Sequence, residues 1–371
     1  MNVQRKSGVT SFREKALLVQ LVYDRDAKEE AEASLAELER LVDTVGATVV
    51  GSITQRRERP TAKYFVGEGK VEEIRLACER TKAKVVVFDN ELSAVQVNNI
   101  DLAIGVHVID RTELILQIFA QRAQSAEAKI QVELAQLEYL IGHIPVSEKQ
   151  ARFKGNIGMR GPGESPFLLR QSTMRRRIGE LKKKLDVVRA RRLRGRGKRN
   201  CPSVCLAGYT NSGKSTLLRA MSADDKVYVD DRLFATLDTK TRQIYLDESR
   251  TIMLTDTVGF ISNLPHGLVA SFRATLEVAV TADLLLVVAD AADPRMDRQL
   301  QVVDETLKEI GAGEVPSLLL LNKCDTPEAA ALLPGWLARW PDAIPISALH
   351  KEGWARLKTR IKEELASCSA S

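Results

Sequence analysis

The first hundred residues alternate short apolar runs with amphipathic segments. The apolar runs have the length of strands, and the segments between them carry apolar residues at helical spacing. This alternation predicts a small, mostly parallel sheet with helices on its faces. We expect residues 1–111 to form an N-terminal α/β domain. Its predicted strands cover residues 16–22, 47–53, 84–88 and 106–109.

A helical region follows the N-terminal domain. From Thr112 to Leu140 the chain contains neither Gly nor Pro, and apolar residues recur at three and four positions, which predicts one long helix. Further on, apolar residues are spaced as in the seam of a short coiled coil. We expect residues 112–199 to form a helical hairpin with a Gly-rich tip at 155–163 and a basic second helix that ends in a linker at 192–200. The seam residues are Met174, Ile178, Leu181, Leu185 and Val188.

Beyond Cys201 the alternation of apolar runs and helical segments returns. It predicts a third, α/β domain at residues 200–371, with a doubly wound and mostly parallel sheet. In such sheets the ligand-binding loops follow the carboxyl ends of the strands. The predicted strands lie near residues 203–207, 243–247, 251–255, 283–289, 317–321 and 343–346.

The first of these strands leads into a phosphate-loop pattern. Residues 208–215 read Gly-Tyr-Thr-Asn-Ser-Gly-Lys-Ser and precede a predicted helix. The glycines let backbone N–H groups face phosphates, Lys214 bridges the terminal phosphates, and the Ser215 hydroxyl binds Mg²⁺. The predicted nucleotide-binding residues are Gly208, Tyr209, Thr210, Asn211, Ser212, Gly213, Lys214, Ser215 and Thr216.

The segment Asp-Thr-Val-Gly at residues 256–259 stands at the end of another predicted strand. There Asp256 can reach Mg²⁺ through water, and the Gly259 N–H can meet the γ-phosphate. The weight of this short pattern comes from its position downstream of the phosphate loop. The predicted nucleotide-binding residues are Asp256, Thr257, Val258 and Gly259.

A polar segment without periodicity lies between these two motifs and is suited to a mobile loop. Within it, Thr236 is the candidate for a second hydroxyl on Mg²⁺, with Thr239 and Thr241 as alternatives. The predicted nucleotide-binding residues here are Phe234, Ala235, Thr236, Leu237 and Asp238.

The identity of the nucleotide base is predicted by the segment Asn-Lys-Cys-Asp at residues 322–325, which follows a buried strand. The Asp325 carboxylate can accept hydrogen bonds from the ring N–H and the exocyclic amine of guanine, and adenine lacks that pair of donors. Charged hydrogen bonds of about 1.5–3 kcal/mol each then favour GTP over ATP. The residues predicted to bind or back the base are Asn322, Lys323, Cys324, Asp325, Ser347, Ala348 and Leu349.

Catalysis needs a separate explanation, because Phe260 follows Gly259 where many GTPases carry a water-orienting Gln. Phe260 can neither donate nor accept a hydrogen bond. We expect Lys214 and Gly259 to contribute to catalysis, Asn211 to help hold K⁺ near the phosphates, and a docked partner to order the loops around the water.

Composition places this 371-residue chain among soluble globular proteins, with 44% apolar and 28% charged residues. It carries no signal-peptide pattern and no apolar run of membrane-spanning length, so we expect a cytoplasmic monomer that does not bind a membrane. The net charge of +6 is uneven, because residues 170–199 hold fourteen Lys or Arg against two acidic residues. This concentration predicts contact with an RNA backbone. The candidate RNA-binding residues are Arg175, Arg176, Arg177, Lys182, Lys183, Lys184, Arg189, Arg191 and Arg192.

With these motifs placed, the sequence resembles the HflX family of translation-associated GTPases, in the Obg-HflX branch. The resemblance implies a P-loop GTPase that converts GTP to GDP, requires Mg²⁺ and binds the large ribosomal subunit and its RNA. It further implies a role in ribosome splitting, rescue or subunit biogenesis, with hydrolysis stimulated by the ribosome. The segments that carry the resemblance are residues 64–70, 110–112, 131–136, 161–165, 234–238, 256–261, 264–269 and 271–276.

Two other functions remain open. The chain could be an RNA-binding assembly module whose affinity is gated by GTP, with incidental hydrolysis, an alternative that Phe260 favours. It could also be an ATP-driven RNA-remodelling protein if Gly-Glu-Gly-Lys at residues 67–70 bound a second nucleotide. That pattern is shorter than a phosphate loop, and we favour a tight turn into a helix.

Overall fold

The computed structural model describes residues 14–24, 27–143, 166–196, 201–222, 233–234, 236–262 and 277–368. The chain divides into two compact units. One comprises Met1–Gln121 and Val132–Lys183, and the other comprises Arg122–Gln131 and Lys184–Ser371. The predicted domain boundaries at 111/112 and 199/200 remain a prediction.

The first unit contains a fully parallel sheet of four strands in the order β2-β1-β3-β4. The strands are β1 (Lys15–Tyr23), β2 (Thr48–Arg57), β3 (Val85–Phe88) and β4 (His107–Asp110). They are joined by helices α1 (Lys28–Thr44), α2 (Glu68–Thr81) and α3 (Ala94–Ile104). The predicted N-terminal α/β sheet is confirmed.

Buried charges lie where the strands of this sheet end. The Arg111 guanidinium, with the residue only 2% exposed, donates to Asp89 Oδ1 at 2.7 Å and is also paired with Glu37. The other Asp89 oxygen accepts from Gln20 Nε2 at 3.0 Å and Ser34 Oγ at 2.6 Å. Buried charges are tolerated when they are paired and hydrogen-bonded in this way. The network therefore holds the ends of β1, β3 and β4 together.

The predicted single helix from 112 to 140 is wrong. Two helices occupy this region, α4 (Arg111–Arg122) and α5 (Ala126–Gly142). At the break Ser125 caps α5, because its Oγ accepts from Ala128 N at 3.0 Å. Serine satisfies N–H groups at a helix start in this way, so it can begin a helix inside an otherwise periodic segment.

The basic helix α6 (Pro166–Arg196) has the predicted seam. Leu181 is fully buried, and Met174, Ile178, Leu185 and Val188 are half-buried. The predicted linker at 192–200 is wrong in its first part, because the helix continues to Arg196. Residues 197–200 and the predicted Gly-rich tip lie outside the described residues.

The second unit contains a six-stranded sheet in the order β10-β9-β8-β5-β7-β6. All its pairings are parallel except that of β6 with β7, so the predicted doubly wound, mostly parallel sheet is confirmed. Strand β6 begins at Lys240, three residues before the predicted start at 243. The strands are β5 (Ser203–Ala207), β6 (Lys240–Tyr245), β7 (Thr251–Asp256), β8 (Leu284–Asp290), β9 (Ser317–Asn322) and β10 (Ile344–Pro345).

Helices of the second unit that pack around this sheet include α7 (Lys214–Ser222), α8 (Met296–Ile310), α9 (Pro327–Arg339) and α10 (Trp354–Cys368). The apolar core contains fully buried residues of β5, β7, β8 and β9, with Leu217 and Leu218 of α7 and Ile361 of α10. Loops at the carboxyl ends of these strands carry the predicted motifs. Within the described residues, no helix combines the length and the apolar composition needed to cross a membrane.

Candidate nucleotide-binding site

The phosphate loop connects β5 to the start of α7. Gly208 and Gly213 have φ angles of 146° and 95°, which L side chains rarely adopt. A Cβ at Gly208 would lie 2.2 Å from Val288 O, and one at Gly213 would lie 2.1 Å from Asn322 Nδ2. Both glycines are therefore required by the close approach of the loop to its neighbours.

Lys214 is folded back on this loop. Its Nζ donates to Gly208 O at 3.0 Å and to Tyr209 O at 2.6 Å, and the residue is 6% exposed. Burial lowers the pKa of Lys214 from 10.5 to about 8, although the charge of Asp256 opposes that shift. The ammonium group thus donates to backbone carbonyls, and phosphate oxygens of a bound nucleotide can replace these acceptors.

This environment predicts that GDP binding by the wild-type protein takes up a proton near pH 8. In the free protein, raising the pH through about 8 removes the Lys214 proton. Bound phosphate favours the charged ammonium and raises its pKa, so binding restores that proton and affinity falls as the pH rises. Calorimetric titration with GDP in buffers of different ionisation enthalpy measures this uptake directly.

The matched variant is Lys214→Arg, because a guanidinium does not deprotonate in proteins. The arginine variant should bind GDP without proton uptake near pH 8. A wild-type protein that exchanges no proton at this pH would contradict the assignment of the lowered pKa.

Ser215, Thr236 and Asp256 come together as the sequence predicts for metal ligands. Ser215 Oγ donates to Asp256 Oδ2 at 2.6 Å and lies 2.8 Å from Thr236 Oγ1. Asp256 is fully buried, and its Oδ1 has no hydrogen-bond partner among the described residues. Burial raises the pKa of Asp256, against the effect of Lys214. An unsatisfied carboxylate oxygen beside two hydroxyls suits Mg²⁺, which prefers oxygen ligands.

The alternatives to Thr236 have different positions. Thr241 lies on β6, where its Oγ1 is hydrogen-bonded to Thr255 Oγ1 at 2.9 Å. Thr239 immediately precedes that strand. The contact between Ser215 and Thr236 therefore favours Thr236 as the second hydroxyl ligand.

The segment after β7 lies directly on the phosphate loop. Thr210 N donates to Phe260 O at 2.7 Å, and Phe260 N donates to Gly208 O at 3.1 Å. A Cβ at Gly259 would lie 2.8 Å from Thr210 Cα and 3.0 Å from Lys214 Nζ, so only glycine allows this approach. The Phe260 side chain is buried, with the residue 3% exposed, and cannot orient a water molecule.

Tyr209 adds a link between these loops that no sequence motif predicts. Its hydroxyl accepts from Ser262 N at 2.7 Å and lies 2.8 Å from Ser262 Oγ. Thr257 Oγ1 donates to Leu206 O at 2.7 Å and fixes the start of the segment to β5. The phosphate loop and residues 256–262 thus form one hydrogen-bonded assembly.

Asn322 joins the phosphate loop to the loop that backs the base. Its Nδ2 donates to Ser212 O at 2.8 Å, and its Oδ1 accepts from Ala348 N at 3.0 Å. Lys323, with a φ of 66°, donates to Asp290 Oδ2 at 2.6 Å. These contacts position the strand ends from which Asp325 projects.

Asp325 is accompanied by a histidine that sequence reasoning missed. His350 Nε2 lies 3.6 Å from Asp325 Oδ2, and His350 follows the predicted base-backing residues directly. Leu349 is 63% exposed beside them. Burial raises the pKa of Cys324, which lowers the fraction of its thiol present as the nucleophilic thiolate.

Phe234, Thr236 and Leu237 are buried, as expected for a loop folded against the site, whereas Ala235 lies outside the described residues. The nucleotide-binding role of Asp238 stays a prediction, and the structure gives this residue other partners. Its carboxylate accepts hydrogen bonds from the backbone N–H groups of Gln124 and Ser125, at 2.9 and 3.0 Å. Its partners in the structure are therefore the residues that precede α5.

The candidate RNA-binding cations of α6 are not equally available. Arg177 Nε donates to Glu133 of α5 at 2.7 Å, and Lys182 Nζ lies 2.9 Å from Glu138. Arg177 and Lys182 therefore take part in ion pairs between α5 and α6, and their contact with RNA stays a prediction. Arg175, Arg176, Lys183 and Lys184 are exposed, and the side chains of Arg189, Arg191 and Arg192 lie outside the described residues.

The short pattern at residues 67–70 belongs to a helix start. Gly67 N donates to Gln55 Oε1 at 2.9 Å, and Lys70 Nζ pairs with Glu73 at 2.7 Å. Helix α2 begins at Glu68, inside the pattern. These contacts favour the tight turn over a second phosphate loop.

Comparison with known proteins matches family models to three parts of the chain. Residues 32–120 match a model described as GTP-binding GTPase N-terminal, and residues 122–199 match one described as GTP-binding GTPase Middle Region. Residues 203–323, which hold most of the nucleotide motifs, match a model described as 50S ribosome-binding GTPase.

Relatives that match most of this chain establish its family. A GTPase HflX of Caldanaerobacter subterraneus subsp. tengcongensis is 42% identical over 357 residues, which cover 95% of this chain and 81% of the relative. The chain belongs to the HflX family of GTPases. The GTPase HflX of Escherichia coli K12 is 45% identical over 316 residues, or 84% of this chain and 73% of the relative. As a member of this family, the protein is an enzyme that hydrolyses GTP.

A solved structure supports the same fold for this HflX-family GTPase. A protein named SsGBP, solved in complex with GDP, aligns with a TM-score of 0.52 and 27% identity, over 96% of this chain and 99% of that one. Similarity over nearly the whole of both chains confirms the P-loop GTPase fold.

Proposed function

We propose that this HflX-family GTPase binds the large ribosomal subunit and its RNA when it holds GTP, and that hydrolysis releases it. The observation that carries the proposal is the row of exposed cations on α6, Arg175, Arg176, Lys183 and Lys184, with few aromatic residues between them. Such a surface suits the phosphate backbone of folded RNA. The family model described as 50S ribosome-binding GTPase supports the choice of the large subunit.

In this proposal the predicted motifs form one site for GTP and Mg²⁺. Ser215 and Thr236 would hold the metal directly and Asp256 through water, while Lys214 and the loop N–H groups bind the phosphates. Magnesium, when bound, neutralises charge on the β- and γ-phosphates. Asp325 selects guanine, and Asn322 keeps its loop in register with the phosphate loop.

Residue Asn211 takes the proposed monovalent-cation role. It lies in the phosphate loop, is exposed and has a φ of 61°. A K⁺ ion held there would add positive charge near the β- and γ-phosphates and stabilise the charge that develops during hydrolysis. Phe260 is buried and cannot orient the attacking water, so that role is left to the partner. Intrinsic turnover is then slow until the ribosomal partner orders the loops around the water.

The proposed cycle is a two-state switch. GTP holds Thr236 and the Gly259 N–H against the γ-phosphate, and loss of that phosphate releases both loops. The protein works as a cytoplasmic monomer in ribosome splitting, rescue or subunit biogenesis. If Phe260 instead means that hydrolysis is incidental, the same surface serves an RNA-binding assembly module gated by GTP.

Sedimentation with purified large subunits tests the nucleotide-gated binding. We expect the protein with a non-hydrolysable GTP analogue to pellet with the subunits at least ~10-fold more than with GDP, because only the triphosphate orders both loops. The triple variant Arg175→Glu, Lys183→Glu, Lys184→Glu should lose this binding. Its control is Lys28→Glu, a change at an exposed lysine on α1.

Equal pelleting with GDP and with the analogue would contradict the nucleotide gating. Full binding by the triple variant would remove α6 from the proposed interface.

A further inference from the structure

Asp238 makes contacts that connect the nucleotide site with a remote part of the chain. One carboxylate oxygen accepts from Gln124 N at 2.9 Å and Ser125 N at 3.0 Å, and the other accepts from Ser125 Oγ. The partners are separated by more than a hundred residues in sequence. All of them belong to the same compact unit.

The position of these contacts favours a carboxylate. Gln124 and Ser125 directly precede α5, and Ser125 caps that helix through Ala128 N. The start of a helix carries partial positive charge and unpaired N–H groups, which attract an anion. Asp238 therefore continues the cap, with one charged group accepting three hydrogen bonds.

The same short loop carries Thr236 to the metal-binding cluster. Thr236 Oγ1 lies 2.8 Å from Ser215 Oγ, and Leu237 between Thr236 and Asp238 is buried, 2% exposed. Two residues of backbone thus connect the Ser215 contact to the α5 contact. The contact of Asp238 with the start of α5 therefore holds the end of the segment that carries Thr236 and limits how far that segment can move.

We propose that Asp238 is a positioning residue that fastens this loop to the start of α5 and so presents Thr236 to the metal and the triphosphate. The inference rests on the proposed role of Thr236 as a metal ligand. In the proposed switch Thr236 binds the metal when the γ-phosphate is present, so we expect the effect of Asp238 to be specific for the triphosphate. Conversely, GTP strengthens the hydrogen bonds at residues 124 and 125.

The test compares the affinities of full-length variants for GDP and for a non-hydrolysable GTP analogue, both with Mg²⁺. Asp238→Ala should bind the analogue ~10-fold more weakly, the effect of losing charged hydrogen bonds, and GDP within about twofold of wild type. Asp238→Asn keeps one acceptor oxygen and should fall between the two. Asp304→Asn, an exposed aspartate on α8, is the control and should match wild type for both nucleotides.

Hydrogen exchange of the backbone amides gives a second measurement on the wild-type protein. Residues 124 and 125 should exchange more slowly with the analogue than with GDP, and this difference should vanish in Asp238→Ala. If Asp238 only stabilised the fold, Asp238→Ala would keep the difference in amide exchange and would lower the affinities for GDP and for the analogue equally.

The Thr236→Ala variant distinguishes the positioning role of Asp238 from the metal-ligand role of Thr236. If Thr236→Ala lowers the affinity for the analogue alone while Asp238→Ala does not, the positioning role is wrong and the metal-ligand role stands. If Thr236→Ala leaves the analogue unaffected, both roles are wrong. Equal weakening of GDP and analogue by Asp238→Ala would also overturn the inference.

Discussion

An Asp325→Asn variant is expected to lose affinity for GTP and to gain affinity for xanthosine triphosphate. In the proposed site the wild-type carboxylate accepts hydrogen bonds from the ring N–H and the exocyclic amine of guanine, and an amide cannot accept both of them. Loss of two charged hydrogen bonds costs about 3–6 kcal/mol, or roughly 10²–10⁴-fold in affinity. Xanthine carries a carbonyl in place of that amine, so the Asn side-chain NH₂ can donate to it.

The contacts around Asp325 hold its loop in place, so a change in affinity can be assigned to the substituted side chain. Asn322 ties the adjacent strand end to Ser212 and Ala348, and Lys323 is held by Asp290, so the loop keeps its position when one side chain changes. Competition binding of GTP, ATP and xanthosine triphosphate with Mg²⁺ measures the exchange of specificity. Asp342→Asn, the same change at an exposed position of this unit, should keep the preference for GTP.

A variant that retains wild-type affinity for GTP would remove Asp325 from base recognition. Weak binding of all three triphosphates, without a gain for xanthosine triphosphate, would show damage to the loop and would also contradict the predicted exchange.

The sheets and most of the nucleotide motifs could be predicted because their signals are local. A buried strand followed by a glycine-rich loop and a helix specifies the phosphate loop within a few residues of sequence. Asp256 and Asn322 similarly occupy the last positions of their strands, β7 and β9. Parallel strands bring such ends to one edge of the sheet, so the grouping of the motifs follows from the topology.

The features that sequence reasoning missed depend on partners distant in the chain. The helix break before Ala126 involves Asp238, more than a hundred residues away, whereas apolar periodicity continues through the break. Likewise, Arg177 looks like a free cation in sequence, and its partner Glu133 lies on another helix. Periodicity and charge counts describe one segment at a time and contain no information about such pairs.

A large increase in the rate of hydrolysis is expected when large ribosomal subunits are present. The three proposed metal ligands are in contact, since Ser215 lies within hydrogen-bond distance of both Thr236 and Asp256. It lacks a group after Gly259 to orient the attacking water, because Phe260 is buried. A partner that supplies such order, or one additional donor to the transition state, accelerates reactions by about 10²–10³-fold.

Steady-state GTP hydrolysis with and without purified large subunits, in K⁺ and in Na⁺, therefore tests whether a ribosomal partner completes this site. We predict slow turnover by the protein alone, stimulation of about 10²-fold or more by the subunits, a higher rate in K⁺, and no stimulated activity in Lys214→Ala. Rapid hydrolysis by the isolated protein that neither the subunits nor K⁺ changes would contradict the account.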